Sequence, residues 1–365
     1  MKTDRRYDLD WLRVGGVFLV ILFHSLMTFI LEPWALVYIK DSTYIHSFKA
    51  ISNFIHLFNM PLLFIIAGMS VNLSLKSRAP GQYIKERFQK LLLPATFGCI
   101  ILNPIMTYIY QFSINNKIDF GEYIIGFFTK NPGDLSGIEG GFTPAHLWFL
   151  IFLFVFSLLS LPLFNKVSQA KNNADKKSMS ELLSKPFVLL ATVIPILLAA
   201  AVNILDDKNP LVYFIMFLLG YFLMTSDHYR LALNRDKWGY LVIGGICAFP
   251  GIYFGNLFKE WSGMWIMIQI ATQIARVSLV FALLGIGNCY FNKASKGLKF
   301  LSNSSFTIYM IHFLINTGVG YMVIQYPLHP LIKFAIILAL TLILCFLFYI
   351  IIKPIPILRT VFGIK

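Results

Sequence analysis

Long apolar runs recur along the whole chain, and they restrict its fold more than any other feature of the sequence. An α-helix of about 20 apolar residues spans the hydrocarbon core of a bilayer, because a helix satisfies its own backbone hydrogen bonds there. Hydrophobic residues make up 57% of the chain and charged residues only 13%, whereas about a quarter of the residues in soluble domains are charged. The sequence therefore predicts an all-α, polytopic transmembrane helical bundle in a lipid bilayer.

Ten of these runs are candidate spans. They cover residues 11–31, 51–73, 91–112, 146–165, 187–205, 210–226, 238–257, 263–286, 303–325 and 331–352. Lysine and arginine are enriched in the cytoplasmic loops of membrane proteins. When the ten spans alternate from an inner N-terminus, most of the 31 Lys and Arg residues fall on the side of the two termini. The charge pattern thus predicts about ten spans with both termini in the cytoplasm.

The formal net charge of +14 raises the question of a nucleic-acid partner. Such a partner would need basic residues clustered on one soluble face, whereas here they sit in short patches between apolar runs. The four cysteines, Cys99, Cys247, Cys289 and Cys345, show no CxxC spacing, so neither a disulfide framework nor a zinc site is indicated. We expect no nucleic-acid partner and no bound metal.

The spans form one predicted membrane-embedded domain, residues 1–365. Its inner loop, residues 166–186, is polar and lysine-rich, and we expect a flexible, solvated connector between two halves. Its outer loop, residues 113–145, is longer and carries acidic residues and glycines; loops of that length are often functional lids. The sequence does not determine the oligomeric state, and an oligomer is compatible with it.

The first span contains two polar side chains that lipid would reject, Arg13 and His24. Their separation of eleven residues comes to roughly three helical turns and about 16 Å of rise, so both lie on one helix face. Charged and ionisable residues inside a membrane are costly and usually functional. The pair is therefore the first candidate for a catalytic site.

Polar side chains in other spans are spaced by three or four residues and so share helix faces. The candidates for a pocket that receives a substrate are His56, Asn59, His146, Trp148, Tyr309, His312 and Arg276. His146 beside Trp148 is equally consistent with a membrane-interface position, and Arg276 with a structural counter-ion. Single amides such as Gln269 are more typical of hydrogen bonds between helices.

A basic patch precedes the third span. It consists of Lys76, Arg78, Lys85, Arg87 and Lys90. Such a patch can set topology or contact anionic lipid headgroups. It also suits a phosphate clamp for a polyanion such as a nucleotide or coenzyme A.

Histidine is the usual general base when a hydroxyl attacks an acyl carbon, because its ordinary pKa lies near neutral pH. In this scheme Arg13, nearer the cytoplasm, holds a negatively charged donor, and His24 takes the proton of an acceptor deeper in the membrane. Residue spacing by itself does not separate this scheme from a transporter or flippase that moves an acylated or lipid-linked sugar. Many transporters show internal repeat symmetry, which is not evident in this sequence.

Several motifs occur in an order that resembles the acyltransferase-3 family of integral membrane O-acyltransferases. They are Arg-x10-His in the first span, LFNMPLLFIIAGMS in the second, KERFQKLLLP after it, HLWFL in the fourth, YFIMFLLGY in the sixth and SSFTIYMIHF in the ninth. The resemblance covers essentially the whole chain. It implies an acyl-CoA donor, commonly acetyl-CoA, that acts as a co-substrate with no permanently bound cofactor. It also implies an acceptor hydroxyl or amine on a cell-envelope carbohydrate or lipid-linked molecule, at the bacterial cytoplasmic membrane.

The same resemblance implies roles for individual residues. It makes His24 the catalytic histidine and Arg13 its essential partner, and it assigns Lys85, Arg87 and Lys90 to the cytoplasmic acyl-CoA-binding motif, which Arg78 extends. The family's commoner motif is Arg-x-x-Arg, whereas Lys90 stands at the second place here. Lysine keeps the charge but lacks the two-pronged guanidinium.

Overall fold

The structure, a computed structural model, describes residues 5–31, 38–75, 78–116, 118–130, 135–169, 185–202, 204–205, 208–255 and 257–364. Every regular element in these ranges is helical, so the all-α prediction is confirmed for the described part of the chain. The chain packs into two compact units. The first unit comprises Met1–Gly16, Asn53–Lys85 and Val155–Lys299, and the second comprises Val17–Ser52, Glu86–Phe154 and Phe300–Lys365.

The helices are named in chain order. They are α1 (Tyr7–Met27), α2 (His46–Leu75), α3 (Pro80–Ser113), α4 (Phe120–Thr129), α5 (Trp148–Leu159), α6 (Leu161–Gln169), α7 (Pro186–Leu190), α8 (Val193–Ala200), α9 (Pro210–Leu223), α10 (Asp227–Phe254), α11 (Gly263–Tyr290), α12 (Lys296–Ile324), α13 (Pro330–Ile352) and α14 (Pro356–Val361). A 3₁₀ turn, Ala145–Leu147, precedes α5. Helix α3 contains two π-helical turns, Phe88–Leu92 and Gly98–Leu102.

Among the described residues, six helices are long and apolar enough to cross a membrane, namely α1, α2, α3, α11, α12 and α13. Helices α9 and α10 pass the same test together but bend by 107°, which gives seven if they form one span. Two shorter apolar helices, Ala145–Leu159 and Val188–Ala200, lie where the fourth and fifth spans were predicted. The protein is thus an integral membrane protein, while the count of ten and the side of the termini stay predictions.

The two long loops differ in how much regular structure the described residues contain. The outer loop, 113–145, includes α4, which the Asp119 carboxylate caps by accepting from the backbone N–H groups of Gly121 and Glu122 at 2.8 and 3.2 Å. Of the inner loop, 166–186, residues 170–184 lie outside the described residues. Its predicted flexibility stays a prediction.

Close helix packing builds the core of the first unit. A Cβ atom on Gly68 of α2 would meet the backbone of Phe217, and one on Gly220 of α9 would meet the backbone of Ile65. Only glycine at both positions lets these two helix backbones approach so closely, as small residues do between membrane helices.

A buried ion pair fixes the segment that follows α1 in the second unit. Lys333 Nζ lies 2.6 Å from Asp41 Oδ2, and the two side chains are 8% and 1% exposed. Lys333 also donates to the carbonyl of Ile324 at 3.1 Å, and the Asp41 backbone N–H donates to the Thr28 carbonyl at 2.9 Å. The pair therefore ties this segment to α13 beside the site described next.

Candidate functional site

Three histidine side chains meet in the second unit and form what we call the histidine cluster: His24 from α1, His146 from the 3₁₀ turn and His312 from α12. The ring centroids of His24 and His312 are 5.0 Å apart, those of His146 and His312 are 4.8 Å apart, and those of His24 and His146 are 6.5 Å apart. All three side chains are buried, with His312 at 0% exposure. Three residues that the sequence places far apart thus share one site.

Aromatic rings pack around the histidine cluster. Phe313 stacks on His24 with a centroid distance of 4.3 Å and lies 5.6 Å from His146. Tyr309, one turn earlier on α12, lies 5.4 Å from His146. Both rings come from α12, as does His312. Tyr309 is three positions before His312 and four before Phe313, so it shares a helix face with each of them. Helix α12 therefore supplies much of the wall of the site.

The backbone of the turn that carries His146 has an unusual conformation at the preceding residue. Ala145 has φ = 43°, a left-handed conformation that side chains other than glycine rarely adopt and that is frequent at functional sites. The backbone N–H of Ala145 donates to Thr143 Oγ1 at 3.0 Å, and the Thr143 carbonyl accepts from Asn103 Nδ2 at 2.8 Å. These bonds hold the turn that presents His146.

A glycine in α3 allows this turn to pack closely. A Cβ atom on Gly98, at the start of the second π-helical turn, would clash with Leu147 and lie 3.2 Å from the Met310 methyl group. Leu147 follows His146 in sequence, and Met310 lies on α12 between Tyr309 and His312. The irregular part of α3 therefore supports the cluster from behind, and π-helical turns are common at functional sites.

Hydrogen bonds to carbonyl groups define the proton positions on two of the rings. A carbonyl only accepts, so His312 Nδ1–H donates to the Tyr309 carbonyl at 2.7 Å, and His146 Nε2–H donates to the Met310 carbonyl at 3.2 Å. In neutral rings the lone pairs then lie on His312 Nε2 and His146 Nδ1, two buried atoms with no hydrogen-bond partner among the described residues. Buried unpaired polar atoms are uncommon and often mark functional sites.

His24 has a hydroxyl partner that sequence reasoning missed. The Tyr38 hydroxyl lies 2.8 Å from His24 Nδ1, and the Tyr38 ring lies 5.1 Å from Phe313. When His24 Nδ1–H donates to the Tyr38 oxygen, Nε2 carries the lone pair and can accept a proton. Tyr38 follows α1 in an irregular segment, so no helical spacing in the sequence could point to it.

Backbone anchoring holds Tyr38 in place. The Lys40 ammonium donates to the carbonyls of Met27 and Ile30 at 2.8 and 2.7 Å, at the C-terminal end of α1, where a cation is favoured. Asp41 is held by Lys333 as described above. The contacts of Lys40 and Asp41 thus fix the segment that carries Tyr38, the partner of His24.

Arg13 lies on α1, the same continuous helix as His24, but its contacts belong to the first unit. Its guanidinium lies 3.2 Å from the Asp10 carboxylate and 3.2 Å from Ser70 Oγ. The side chain is 38% exposed. Its charge is therefore partly balanced by Asp10, a residue that the sequence reasoning did not consider.

Three of the predicted pocket residues also lie in the first unit. Asn59 donates to the Gly16 carbonyl at 3.1 Å, a hydrogen bond between α2 and α1. Arg276 donates to Gln273 Oε1 at 2.8 Å and to the Leu57 carbonyl at 3.3 Å. His56 is half-buried on α2.

Of the predicted pocket residues, the structure brings together His146, Tyr309 and His312 around His24, all within the second unit. Trp148 lies in that unit too, half-buried on α5, with its ring 5.1 Å from the Phe152 ring. Its predicted role in the pocket stays a prediction.

The basic patch is spread along the end of α2 and the start of α3. Arg78 donates to Ser74 Oγ at 2.5 Å, and Lys76 lies outside the described residues. On α3, Lys85 is exposed and Arg87 is half-buried. Lys90 pairs with Glu86 at 3.0 Å, and its side chain is 43% exposed.

No group of three or more His, Cys, Asp or Glu side chains within the described ranges is arranged to hold a metal ion. The histidine cluster offers neutral imidazole lone pairs, hydroxyls and aromatic faces. Such a set can accept a proton from a hydroxyl and position a small polar molecule, which is acid–base chemistry.

Known proteins are similar to this chain over most of its length. Glucans biosynthesis protein C of Escherichia coli O139:H28 (strain E24377A) is 22% identical over 332 residues, which cover 86% of this chain and 82% of the relative. The protein of the same name from Escherichia coli K12 gives the same identity and coverage. No solved structure matches the chain.

The family described as "Acyltransferase domain", which is the acyltransferase-3 family, matches residues 6–350. This match extends over nearly the whole chain and includes every described member of the histidine cluster. It confirms the resemblance that the ordered motifs indicated, and the chain belongs to the acyltransferase-3 family of membrane acyltransferases.

Proposed function

We propose that the protein transfers a short acyl group, commonly acetyl, from acyl-CoA to a hydroxyl or amine of a cell-envelope carbohydrate in the bacterial inner membrane. The family membership supports acyl transfer. The name of its relatives refers to glucan biosynthesis, which favours a glucan among the carbohydrate acceptors. The observation that carries the proposal is the placement of His24, buried in the histidine cluster with Nδ1 at 2.8 Å from the Tyr38 hydroxyl.

In the proposed reaction His24 acts as general base. His24 Nε2 takes the proton of the acceptor hydroxyl, the acceptor oxygen forms a bond to the acyl carbon, and the bond between that carbon and the sulfur of coenzyme A breaks. The imidazolium then returns the proton to the leaving thiolate, so that coenzyme A departs as a thiol. Tyr38 keeps the other ring proton on Nδ1, which leaves Nε2 available as the base.

The remaining predicted residues are assigned to binding. Arg13, about three turns from His24 along α1, holds the negatively charged donor. The phosphates of coenzyme A are contacted by the basic patch, Arg78, Lys85, Arg87 and Lys90, since guanidinium and ammonium groups suit phosphate. The acceptor is positioned by the lone pairs of His146 and His312 and by Tyr309, with Trp148, His56, Asn59 and Arg276 as further predicted pocket residues.

The proposal is tested by finding the acyl acceptor in cells. Cells that express the wild-type protein or the His24→Ala variant are fed labelled acetate, and the glucans and other carbohydrates of the envelope are extracted and analysed for label. The proposal is supported by a carbohydrate that gains an acetyl group with the wild-type protein and not with H24A, while His228→Ala, at a half-buried histidine of α10 outside the cluster, behaves as wild type. Equal labelling with and without His24 would contradict it.

A further inference from the structure

A second polar site lies within the first unit, apart from the residues of the histidine cluster. It is a cavity of about 180 Å³ between α8, α9 and α11. Its lining residues are Ala200, Asn209, Val212, Tyr213, Gln269, Gln273 and Arg276. In the predicted topology Asn209, the residue before α9, lies toward the outer side of the membrane.

The polar wall of this cavity is a single helix face. Gln269, Gln273 and Arg276 follow one another on α11 at spacings of four and three, which places them on one stripe. Gln273 is only 4% exposed. An arginine inside a membrane-spanning helix is costly and usually functional, and here Arg276 faces a cavity together with two amides.

The polar groups that line the cavity include guanidinium and amide N–H donors. Arg276 donates to Gln273 Oε1 at 2.8 Å, which engages the acceptor end of that amide and turns its NH₂ group to other partners. Asn209 is used for structure: its Oδ1 caps α9 by accepting from Leu211 N–H at 3.0 Å, and its Nδ2 donates to the Val202 carbonyl at 2.7 Å. None of the described residues that line the cavity is acidic.

The volume suits a small ligand. An apolar cavity of about 150 Å³ holds a single benzene ring, so this cavity has room for one compact polar group with its waters. It is below the roughly 300–1,000 Å³ of sites for drug-sized ligands. A guanidinium and amide NH₂ groups within this space match the oxygen atoms of an anion such as a phosphate or carboxylate.

We propose that the cavity lined by Gln269, Gln273 and Arg276 binds an oxyanion, the phosphate or carboxylate group of either a soluble molecule or a lipid headgroup. Arg276 is also one of the predicted pocket residues for the acyl acceptor, but the proposal rests on the lining of this cavity and not on acyl transfer. Its test measures binding and not acyl transfer, so its failure is distinguishable from the failure of the proposed function.

The experiment uses the purified full-length chain. Inorganic phosphate and acetate are titrated against delipidated protein in detergent to test the soluble source. Phosphorus analysis of protein recovered from vesicles of phosphatidylglycerol and phosphatidylcholine counts the retained lipid, which tests the headgroup source. Arg276→Gln removes the central charge, and Arg235→Gln, at an exposed arginine paired with Asp236 at 2.7 Å, is the matched control.

We expect R276Q to weaken the binding of the soluble anion about tenfold or more, or to lose the retained lipid, while R235Q behaves as wild type. Gln269→Leu should weaken binding by a smaller factor. The Gln269 side chain makes no hydrogen bond with a described residue, so we expect this variant to fold. If R276Q does not fold, Arg276→Lys and Gln269→Leu decide the question. The proposal would be overturned if R276Q bound the anion and retained the lipid as the wild-type protein does. It would also be overturned if R276K and Q269L both did so, or if the wild-type protein bound neither the soluble anions nor the lipid.

Discussion

The histidine cluster and the cavity of the first unit show two ways in which a membrane helix can carry polar side chains. In the cluster, rings from α1, α12 and the 3₁₀ turn pack against one another. His146 and His312 direct N–H groups to backbone carbonyls, and His24 Nδ1 lies 2.8 Å from a tyrosine hydroxyl. In the cavity, a guanidinium and two amides face open space of about 180 Å³. The first arrangement leaves lone pairs and suits proton transfer, whereas the second leaves donors and suits an anion.

The two sites also differ in how they are held. The cluster depends on contacts between residues far apart in the chain, such as the buried pair of Asp41 and Lys333. The polar wall of the cavity comes from one continuous helix, α11. Substitutions in and around the cluster should therefore have measurable effects, which we expect to decrease from Lys333→Met through His312→Phe to Tyr38→Phe.

Lys333→Met leaves the Asp41 carboxylate buried without its cation. Removing one partner of a buried ion pair costs about 3–5 kcal/mol, so we expect a large loss of stability to denaturant in detergent. Arg235→Gln, which breaks an exposed pair in the first unit, should cost less than about 1 kcal/mol. Equal effects of the two variants would show that the Asp41 pair does not hold the segment that carries Tyr38.

His312→Phe keeps an aromatic ring in the cluster and removes its buried lone pair. If that lone pair positions the acceptor next to His24, kcat should fall about tenfold to hundredfold, at the low end of acid–base contributions. The rate of coenzyme A release, measured with a melting curve to confirm folding, checks this expectation. Full activity in a folded H312F protein would make His312 a packing residue.

Tyr38→Phe removes one hydroxyl beside His24. A neutral hydrogen bond contributes about 0.5–1.5 kcal/mol, so kcat should fall about threefold to tenfold with KM for acyl-CoA unchanged. Tyr44→Phe, in the same segment, is the matched control and should leave both constants as in the wild type. A rise in KM with an unchanged kcat would instead assign Tyr38 to binding.

Local sequence patterns predicted a large part of this molecule. Apolar runs located the long helices, because a membrane span is a property of contiguous residues. The spacing of Tyr309 and His312 placed them on one helix face, and the separation of eleven positions from Arg13 to His24 placed those two on one face of α1. The family match confirms the resemblance drawn from the ordered motifs.

The features that sequence reasoning missed are contacts between distant segments. Tyr38 and Asp41 lie in an irregular connection, and their partners His24 and Lys333 lie 14 and 292 residues away. The bend between α9 and α10 and the π-helical turns of α3 are backbone departures from regular helix geometry, which apolar periodicity does not report. His146 and His312 were named as candidates, but their meeting with His24 required the tertiary fold.

The rate of coenzyme A release shows whether His24 is the proton acceptor in acyl transfer. Coenzyme A release from acetyl-CoA is followed with purified wild-type, His24→Ala and His228→Ala proteins, with a panel of gluco-oligosaccharides as acceptors. We predict that H24A loses at least about a hundredfold in kcat while H228A keeps the wild-type rate. An H24A protein that folds and releases coenzyme A at the wild-type rate would show that His24 is not the proton acceptor.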